Sequence, residues 1–322
     1  MAAVRVTVIA GGIGGARFLR GLREVVGRDA ITVIGNTGDD VTMFGLRICP
    51  DLDTVMYTLG GGISAERGWG REGESFVVKE ELAAYAEEPM WFGLGDRDIA
   101  THLVRSRLLR EGVPLSAVTA RLCARWRPGV RLLPMTDEPV ETHVRLVDGR
   151  DVHFQEWWVR LHAGEPAVEI SLQGKESARP APGVVESLRD ADVVVLPPSN
   201  PVVSIGTVLS VPGIRPALVE CGAPVVGVSP IIGGAPVRGM ADACLAAIGV
   251  ETSAEAVARH YGARAQGGIL DGWLVDEVDK AAADTLVEDG LPTRAVPLWM
   301  HDVEASARMA QAALDLAAAV RS

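Results

Sequence analysis

The chain has 322 residues, of which 48% are hydrophobic and 23% are charged, so a sizeable core is available. Its formal net charge of −11 argues against general nucleic-acid binding, because an acidic surface repels the phosphate backbone. No run of 18 apolar residues occurs, and the first residues lack the basic start and cleavage site of a signal peptide, so neither a membrane span nor secretion is expected.

The beginning of the chain predicts the opening of a parallel sheet. Residues 4–9 read as a buried strand, a glycine-rich turn follows, and a helix is expected over 16–26 before a second strand at 31–34. This order predicts an α/β fold, a Rossmann-like and mostly parallel sheet with helices on both faces. Ligands of such sheets bind beyond the carboxyl ends of the strands, where both turns would lie.

Two helices are predicted in the next part of the chain. The first spans 50–59, and the second spans 96–110 and carries acidic residues in its first turn, where the helix dipole favours them. The second helix is expected to be amphipathic, with one apolar stripe turned toward the core. The members of that stripe are Ile99, Leu103, Val104 and Leu108.

The chain changes character after residue 130, where short strand-like runs are separated by turn residues. We therefore predict a Rossmann-like core made of residues 1–125 and 183–322, interrupted by a smaller α/β insertion at 126–182. Alternating strands and helices resume after the insertion, with strands expected at 192–196 and 224–228.

The first candidate site is the glycine-rich turn AGGIGGA, which contains Gly12 and Gly14. Glycines between a strand and a helix let backbone N–H groups approach a phosphate closely, so we predict substrate binding here. A dinucleotide site fits poorly, because Gly35 and Asn36 stand where an acidic ribose ligand would end the second strand. The alternative is a tight turn that needs glycine for conformational reasons alone.

Two acidic pairs form the second candidate site. Asp39 and Asp40 follow the second strand in NTGDD, and Asp51 and Asp53 lie in PDLD at the start of the first predicted helix. Carboxylates are ligands that Mg²⁺ takes beside substrate phosphates, so a magnesium site is predicted. The alternative is that the first pair solvates a loop and Asp51 caps a helix. The six histidines show no zinc spacing.

Polar residues in three later segments complete the candidates. Arg97 in GDRD suits a hydrogen bond to an anionic or carbonyl group. Ser199 and Asn200 in PPSNP offer donors and acceptors to a nucleobase or ribose, and Ser229 and Arg238 bound a second glycine-rich loop after a strand. Helix caps and rigid turns are the alternative explanations for these residues.

Read together, these segments resemble one known family. The motifs are GGIGGAR, GNTGDD, CPDLDTVMYTLGGG, WFGLGDRDIATHLVRS, LLPMTDEPVETHV, HFQEWW, PPSNPVVSIG and VSPIIGGAPVRGMAD. In this order they resemble the 2-phospho-L-lactate transferase family, called CofD in archaea and FbiA in actinobacteria. The arginine-rich composition and the run RICPDLDTVMYTLGGG are similar to the actinobacterial, phosphoenolpyruvate-transferring branch.

The resemblance implies a Mg²⁺-dependent transferase of coenzyme F420 biosynthesis. Its donor would be a guanosine diphosphate ester of phosphoenolpyruvate or of 2-phospholactate, a choice that stays open. Its acceptor would be the deazaflavin alcohol Fo (7,8-didemethyl-8-hydroxy-5-deazariboflavin), and its products would be GMP and dehydro-F420-0 or F420-0. A homodimer is implied. Four cysteines without a CxxC pair are typical of a cytoplasmic protein.

The same resemblance implies roles for individual residues. Asp39 and Asp53 would belong to the metal and Fo region, and Asp40 is the candidate proton acceptor. Arg97 would contact Fo. The guanosine and diphosphate would meet the two later loops, which carry Ser199, Asn200, Ser229 and Arg238.

One rival from another class shares the glycine-rich start and the aspartate loop. Proteins of the YvcK type bind UDP-sugars and act in regulation. The motifs GDRDIATHLVRS and HFQEWW favour the transferase.

Overall fold

The fold alternates strands and helices over residues 4–321, the part of the chain that the computed structural model describes. The strands are β1 (Val6–Ala10), β2 (Ile31–Gly35), β3 (Val41–Met43), β4 (Leu46–Ile48), β5 (Arg131–Pro134), β6 (Glu141–Leu146), β7 (Asp151–His153), β8 (Ala167–Gln173), β9 (Val193–Leu196), β10 (Val225–Val228), β11 (Ile231–Ile232), β12 (Ala235–Pro236), β13 (Gly272–Val275) and β14 (Thr293–Ala295). The helices are α1 (Gly12–Val25), α2 (Pro50–Leu59), α3 (Val77–Ala84), α4 (Asp96–Arg110), α5 (Leu115–Trp126), α6 (Val184–Arg189), α7 (Thr207–Ser210), α8 (Ile214–Glu220), α9 (Ala241–Ala247), α10 (Ala254–Tyr261), α11 (Lys280–Glu288) and α12 (Val303–Arg321).

The central sheet has seven strands in the order β14-β13-β10-β9-β1-β2-β5. Every neighbouring pair is parallel, which confirms the predicted Rossmann-like fold. The chain extends the sheet from β1 toward β5, then returns to the other side of β1 at β9. The order of strands therefore reverses between β1 and β9, and in such sheets the crevice beyond that point is the usual ligand site.

Both faces of the sheet are covered by helices. Val8 of β1 packs on one side with residues of α1, α2, α5 and α12, while its neighbour Ile9 packs on the other with residues of α6, α8, α10 and α11. Alternate residues of a strand point to opposite faces, so a strand covered on both sides is apolar throughout. Within residues 4–321, no single helix has the length and apolarity to span a membrane, although the bent pair Pro201–Ser210 and Ile214–Glu220 meets those two criteria together.

A smaller antiparallel sheet has the order β7-β6-β8 and lies within the predicted insertion at 126–182. β5 also falls in that range, but it pairs with β2 in the central sheet. The antiparallel sheet therefore begins at β6, and the boundaries of the core and the insertion stay a prediction. A four-residue strand shows too little periodicity to reveal which sheet it joins.

The apolar stripe predicted on α4 is wrong at Leu103 and Val104, although Leu108 is buried and the bounds of the helix are confirmed. Leu103 is 51% exposed and Val104 is 36% exposed. The buried face is mostly polar and consists of Thr101, His102, Arg105, Ser106 and Leu108. This face packs beside charged partners on α2 and β4, and the next subsection describes those partners.

Candidate functional site

The glycine turn lies at the sheet reversal, between the end of β1 and the loop after β9. A Cβ on Gly14 would come within 2.2 Å of the Pro198 carbonyl oxygen, and one on Gly11 would come within 2.5 Å of an Asp51 carboxylate oxygen. Gly12 has a φ of +64°, which L side chains rarely adopt. Glycine is thus required by close approach as well as by backbone conformation, and the turn lies directly beside a carboxylate.

Three of the residues predicted to contact the nucleoside use their side chains for hydrogen bonds within the protein. They are Ser199, Asn200 and Ser229. The Ser199 hydroxyl donates to the Gly11 carbonyl oxygen at 2.8 Å. The Asn200 Oδ1 accepts from the backbone N–H groups of Val202 and Val203. The Ser229 hydroxyl donates to the carbonyl oxygen of Ile231 at 2.8 Å. These bonds shape two loops at the crevice, as expected for rigid turns.

Four aspartates are buried together at the start of α2 and in the loop after β2. Their exposed fractions are 5% for Asp39, 1% for Asp40, 8% for Asp51 and 4% for Asp53. The structure therefore brings both predicted acidic pairs into one region, beside the glycine turn. Charged groups are rarely this buried without partners, because desolvation favours their neutral form.

The first half of this cluster consists of Asp39 and Asp51, together with Asn36. The Asn36 Nδ2 donates to the Asp51 Oδ2 at 3.0 Å and to the Val203 carbonyl oxygen at 3.1 Å. Burial raises the pKa of Asp39 well above its ordinary value, and the Asp51 carboxylate raises it further. Burial also raises the pKa of Asp51 to about 6, against the opposing bond from Asn36. Among residues 4–321, no arginine forms an ion pair with this half.

Arginines neutralise the second half, Asp40 and Asp53. The Arg105 Nη2 donates to the Asp53 Oδ1, and the Arg47 Nε lies 3.8 Å from the Asp40 Oδ2. Burial raises the pKa of Asp40 to about 7, although the charges of Arg47 and Arg105 oppose that shift. The Arg105 Nη1 also donates to the Arg47 carbonyl oxygen at 3.3 Å, so the two arginines are joined.

A polar network continues from Asp53 along α4. The His102 Nδ1 lies 3.8 Å from the Asp53 Oδ2, and its Nε2 lies 3.4 Å from the Asp98 Oδ2. The Tyr57 hydroxyl donates to the Asp98 Oδ1 at 2.5 Å. Asp53, Asp98 and His102 place one ligand atom each within 4.8 Å of one another, a spacing that a metal ion can use. Because Arg105 and Tyr57 already bond the two carboxylates, the network serves first to hold α4 against α2.

Several carboxylate oxygens of the cluster have no hydrogen-bond partner among residues 4–321. They are the Asp39 Oδ1, both oxygens of Asp40 and the Asp53 Oδ2. Buried acceptors without donors are costly, and a divalent cation is one group that satisfies several at once. The donor set of oxygens alone suits Mg²⁺.

An arginine rim stands beside the glycine turn. Arg238 donates to the Arg67 carbonyl oxygen at 3.1 Å. Burial lowers the pKa of Arg17, and the guanidinium groups of Arg238 and Arg20 lower it further. Across the described residues, none of these three rim arginines (Arg17, Arg20 and Arg238) forms an ion pair. Uncompensated cations beside a glycine turn attract an anion such as a phosphate.

Arg97 lies away from this cluster. The GDRD motif works locally: Asp96 accepts from the N–H groups of Val77 and Val78 at the start of α3. The Glu74 carboxylate accepts from the N–H groups of Arg97 and Asp98 at the start of α4. The Arg97 guanidinium donates to the Glu72 carbonyl oxygen at 3.3 Å. Its contact with Fo therefore stays a prediction.

Sequence reasoning missed three residues of the cluster: Asn36, Arg47 and Arg105. In the sequence, Asn36 stands out only as the residue that replaces the acidic ribose ligand of a dinucleotide site. Arg105 was hidden inside a helix whose apolar residues suggested a different buried face. A signal was present in GDRDIATHLVRS, where His102 and Arg105 are separated by one helical turn and share a face.

Comparison with known proteins decides the family. The model of the family described as "2-phospho-L-lactate transferase CofD" matches residues 6–314. This chain belongs to that family. The prediction of family membership is confirmed.

Curated relatives extend over the whole chain. A protein named phosphoenolpyruvate transferase from Streptomyces griseus subsp. griseus is 63% identical to this chain. The match covers 99% of this chain and 100% of the relative. The Thermobifida fusca protein of that name is 63% identical over 98% of each chain. The Mycolicibacterium smegmatis protein of that name is 55% identical over 98% of this chain and 99% of its own. The similarity to the actinobacterial branch is thereby confirmed.

Solved structures support the fold at a greater distance. A UPF0052 family member from Bacillus halodurans superposes with a TM-score of 0.67, over 98% of this chain and 99% of its own. Its sequence identity is 18%, so this likeness concerns the fold alone.

Proposed function

We propose that this chain transfers the phosphoenolpyruvyl group of a guanosine diphosphate ester to the terminal ribityl hydroxyl of Fo. GMP would leave, and dehydro-F420-0 would form. The observation that carries the proposal is the buried group of four aspartates beside the glycine turn, at the sheet reversal of a CofD-family chain. The name shared by curated relatives supports the phosphoenolpyruvyl donor over the 2-phospholactyl one.

The donor would lie across the reversal point. Backbone N–H groups of Gly12 and Gly14 and the charges of Arg17 and Arg238 would bind its diphosphate. The side chains of the two later loops bond within the protein. We therefore propose that backbone groups of the loops around Ser199–Asn200 and Ser229 read the guanosine.

Magnesium would be held by Asp39 and Asp53, as the sequence predicts, with Asp51 as a further ligand. The support is the unpartnered Asp39 Oδ1 and Asp53 Oδ2 and the proximity of Asp51 to Asp39. Bound Mg²⁺ would neutralise charge on the diphosphate oxygens. It would also compensate a cluster whose burial otherwise raises the pKa of Asp39, Asp40 and Asp51.

The reaction is a substitution at phosphorus. The ribityl hydroxyl oxygen forms a new bond to the phosphorus that bears the enolpyruvyl group, and the bond from that phosphorus to the GMP oxygen breaks. The hydroxyl proton passes to Asp40, whose pKa of about 7 leaves a substantial ionised fraction at neutral pH. The protein contributes by orienting the two substrates and by balancing charge.

We also propose a cytoplasmic homodimer. The cytoplasmic assignment is supported by cysteines at 49, 123, 221 and 244 that form no disulfide. The dimer follows from the resemblance to the family, and light scattering on the purified chain tests it. A monomer at assay concentration would contradict it.

The function is tested by binding and by transfer. Calorimetry with GDP, ADP and UDP should show a preference for GDP, and incubation of Fo with the donor and Mg²⁺ should release GMP. Asp39→Asn should lower transfer at least about 100-fold, because it removes a charge at the reacting phosphates. The matched control is Asp190→Asn, an exposed aspartate at the end of α6, which should keep full activity.

One result would overturn the proposed function, and another would remove only its metal assignment. A preference for UDP with no GMP release would favour the sugar-nucleotide-binding rival. Full transfer by Asp39→Asn would remove the metal assignment while leaving the nucleotide assignment intact.

A further inference from the structure

A second cavity lies at the far end of α2 from the four aspartates. We call it the rear cavity; it has a volume of about 400 Å³, and its lining includes Arg71, Arg97, Arg125 and Trp126. Asp51 is in the first turn of α2, and Gly60, which also lines the cavity, follows its last turn. Nine residues at 1.5 Å per residue separate the two ends by about 14 Å. The rear cavity is thus distinct from the crevice.

The rear cavity is positively charged, although the chain as a whole is acidic. Three arginines line the rear cavity, against one carboxylate, that of Glu72. No ion pair of Arg71, Arg97 or Arg125 occurs over residues 4–321, although other arginines of this acidic chain pair with carboxylates there. The guanidinium groups of Arg71 and Arg97 donate to backbone carbonyl oxygens. The three positive charges are therefore left for an anion from outside.

Trp126 gives the rear cavity a fixed wall. The guanidinium carbon of Arg71 lies 5.0 Å from the centre of the indole ring, and that of Arg125 lies 4.6 Å away. A Cβ on Gly62 would come within 2.1 Å of the ring, so the chain leaves room for the indole only by having glycine there. Tyr57 packs on the ring with a centroid distance of 4.7 Å. The aromatic ring thus holds two guanidinium groups in place before any ligand arrives.

The unpaired donors point to the same conclusion. The Trp126 Nε1 and the Arg71 Nε are buried and have no hydrogen-bond partner among the described residues. Buried donors without acceptors cost free energy. A phosphate group carries several acceptor oxygens on one centre and forms strong charge-assisted bonds with arginine.

We propose that the rear cavity is a second anion site that binds a phosphate group, separate from the donor crevice. Its volume admits inorganic phosphate, diphosphate or a small phosphorylated metabolite. The inference goes beyond the proposed function, because it does not depend on which nucleotide the donor crevice binds. It would hold whether the crevice prefers GDP or UDP.

The test is calorimetric titration of the full chain with inorganic phosphate and with diphosphate, at constant ionic strength. Wild type should show saturable binding. Arg125→Gln and Arg71→Gln should each weaken it at least about tenfold, because each removes a charged donor. The matched control is Arg121→Gln, an exposed arginine on α5 outside the rear cavity, which should bind as wild type does. Arg125 is exposed, so its variant is expected to fold.

Competition separates this site from the donor crevice. Saturating GDP should leave phosphate binding to the rear cavity unchanged in wild type. The inference is overturned by an absence of saturable binding, by equal binding in Arg125→Gln and wild type, or by full displacement with GDP. Weakened Fo binding by Arg125→Gln, with phosphate binding unchanged, would assign the cavity to the acceptor and would equally overturn it.

Discussion

Arg105 is a residue that is only 1% exposed, and its guanidinium group forms an ion pair with a residue that is 4% exposed. The partner is Asp53, 52 positions earlier in the chain. An ion pair of this kind is weak evidence of net stabilisation, since both charges lose their water. Removing only one partner nevertheless destabilises the folded state strongly, because the other charge then stays buried without a counter-charge. Arg105 thus decides whether Asp53 stays ionised and correctly oriented within the cluster of four aspartates.

We expect Arg105→Met to destabilise the chain by about 3–5 kcal/mol and to lower transfer sharply, because Asp53 loses its counter-charge. Urea unfolding measures the first effect. Adding Asp53→Asn to Arg105→Met should recover part of the stability without recovering transfer. The control is Arg107→Met on the outer face of α4, whose pair with Glu111 is about half exposed; it should change stability by less than about 1 kcal/mol. Equal losses for the two single variants would contradict the role of Arg105.

In both α4 and α1, the neighbouring elements determine which residues of the helix are buried. α4 turns its polar residues inward because α2 and β4 present Asp53, Tyr57 and the backbone of Arg47 to it. α1 packs on α12 at Gly21, where a Cβ would lie 2.2 Å from the Ser306 carbonyl carbon. The two helix backbones therefore touch. This contact fixes α1, whose first turn forms the glycine-rich part of the crevice.

Gly21→Ala should destabilise the chain, although alanine alone favours a helix by up to about 1 kcal/mol over glycine. The added methyl group meets backbone atoms that cannot rotate away, and overpacking of this kind typically costs about 1–3 kcal/mol. Thermal unfolding measures the change. Gly27→Ala is the matched control, because a Cβ there meets nothing within 4 Å. A Gly21→Ala protein as stable as wild type would show that α1 and α12 can separate without cost.

Over the whole molecule, the four buried aspartates couple stability to pH and to metal. Burial raises the pKa of Asp40 to about 7 and that of Asp51 to about 6, from an ordinary value of 3.8. A raised carboxyl pKa means that folding favours the protonated form. That contribution is complete below about pH 4, and it is lost as pH rises through 6 and 7.

The metal-free protein should therefore lose roughly 2–4 kcal/mol of this contribution between pH 5 and pH 7.5. Its Tm should fall over that range, and Mg²⁺ should raise the Tm more at pH 7.5 than at pH 5.5, since the cation competes with protons. Calorimetric scans at both pH values, with chelator and with Mg²⁺, measure this. Asp40→Asn should flatten the pH dependence, and a Tm that rises with pH in the chelated wild type would contradict it.

The sequence alone determined the features that depend on near neighbours in the chain. The apolar run at 4–9, the glycine turn and the strand at 31–34 predict a parallel sheet, because each pattern is local. The bounds of α2 and α4 are predicted for the same reason, and the structure has both helices at the predicted residues. Asp39 and Asp53 were expected to converge because parallel strands end at one edge.

Only the tertiary structure decided which face of α4 is buried, since that depends on Asp53 and Tyr57 in a distant helix. It also decided that the Ser199 hydroxyl bonds to the glycine turn and that Arg97 lines the rear cavity. Hydrophobic periodicity predicts an inward face only where the core is apolar. Here the buried Asp53 carboxylate needs a donor, and a polar helix face that supplies Arg105 is more stable inside than an apolar face that would leave Asp53 unpaired.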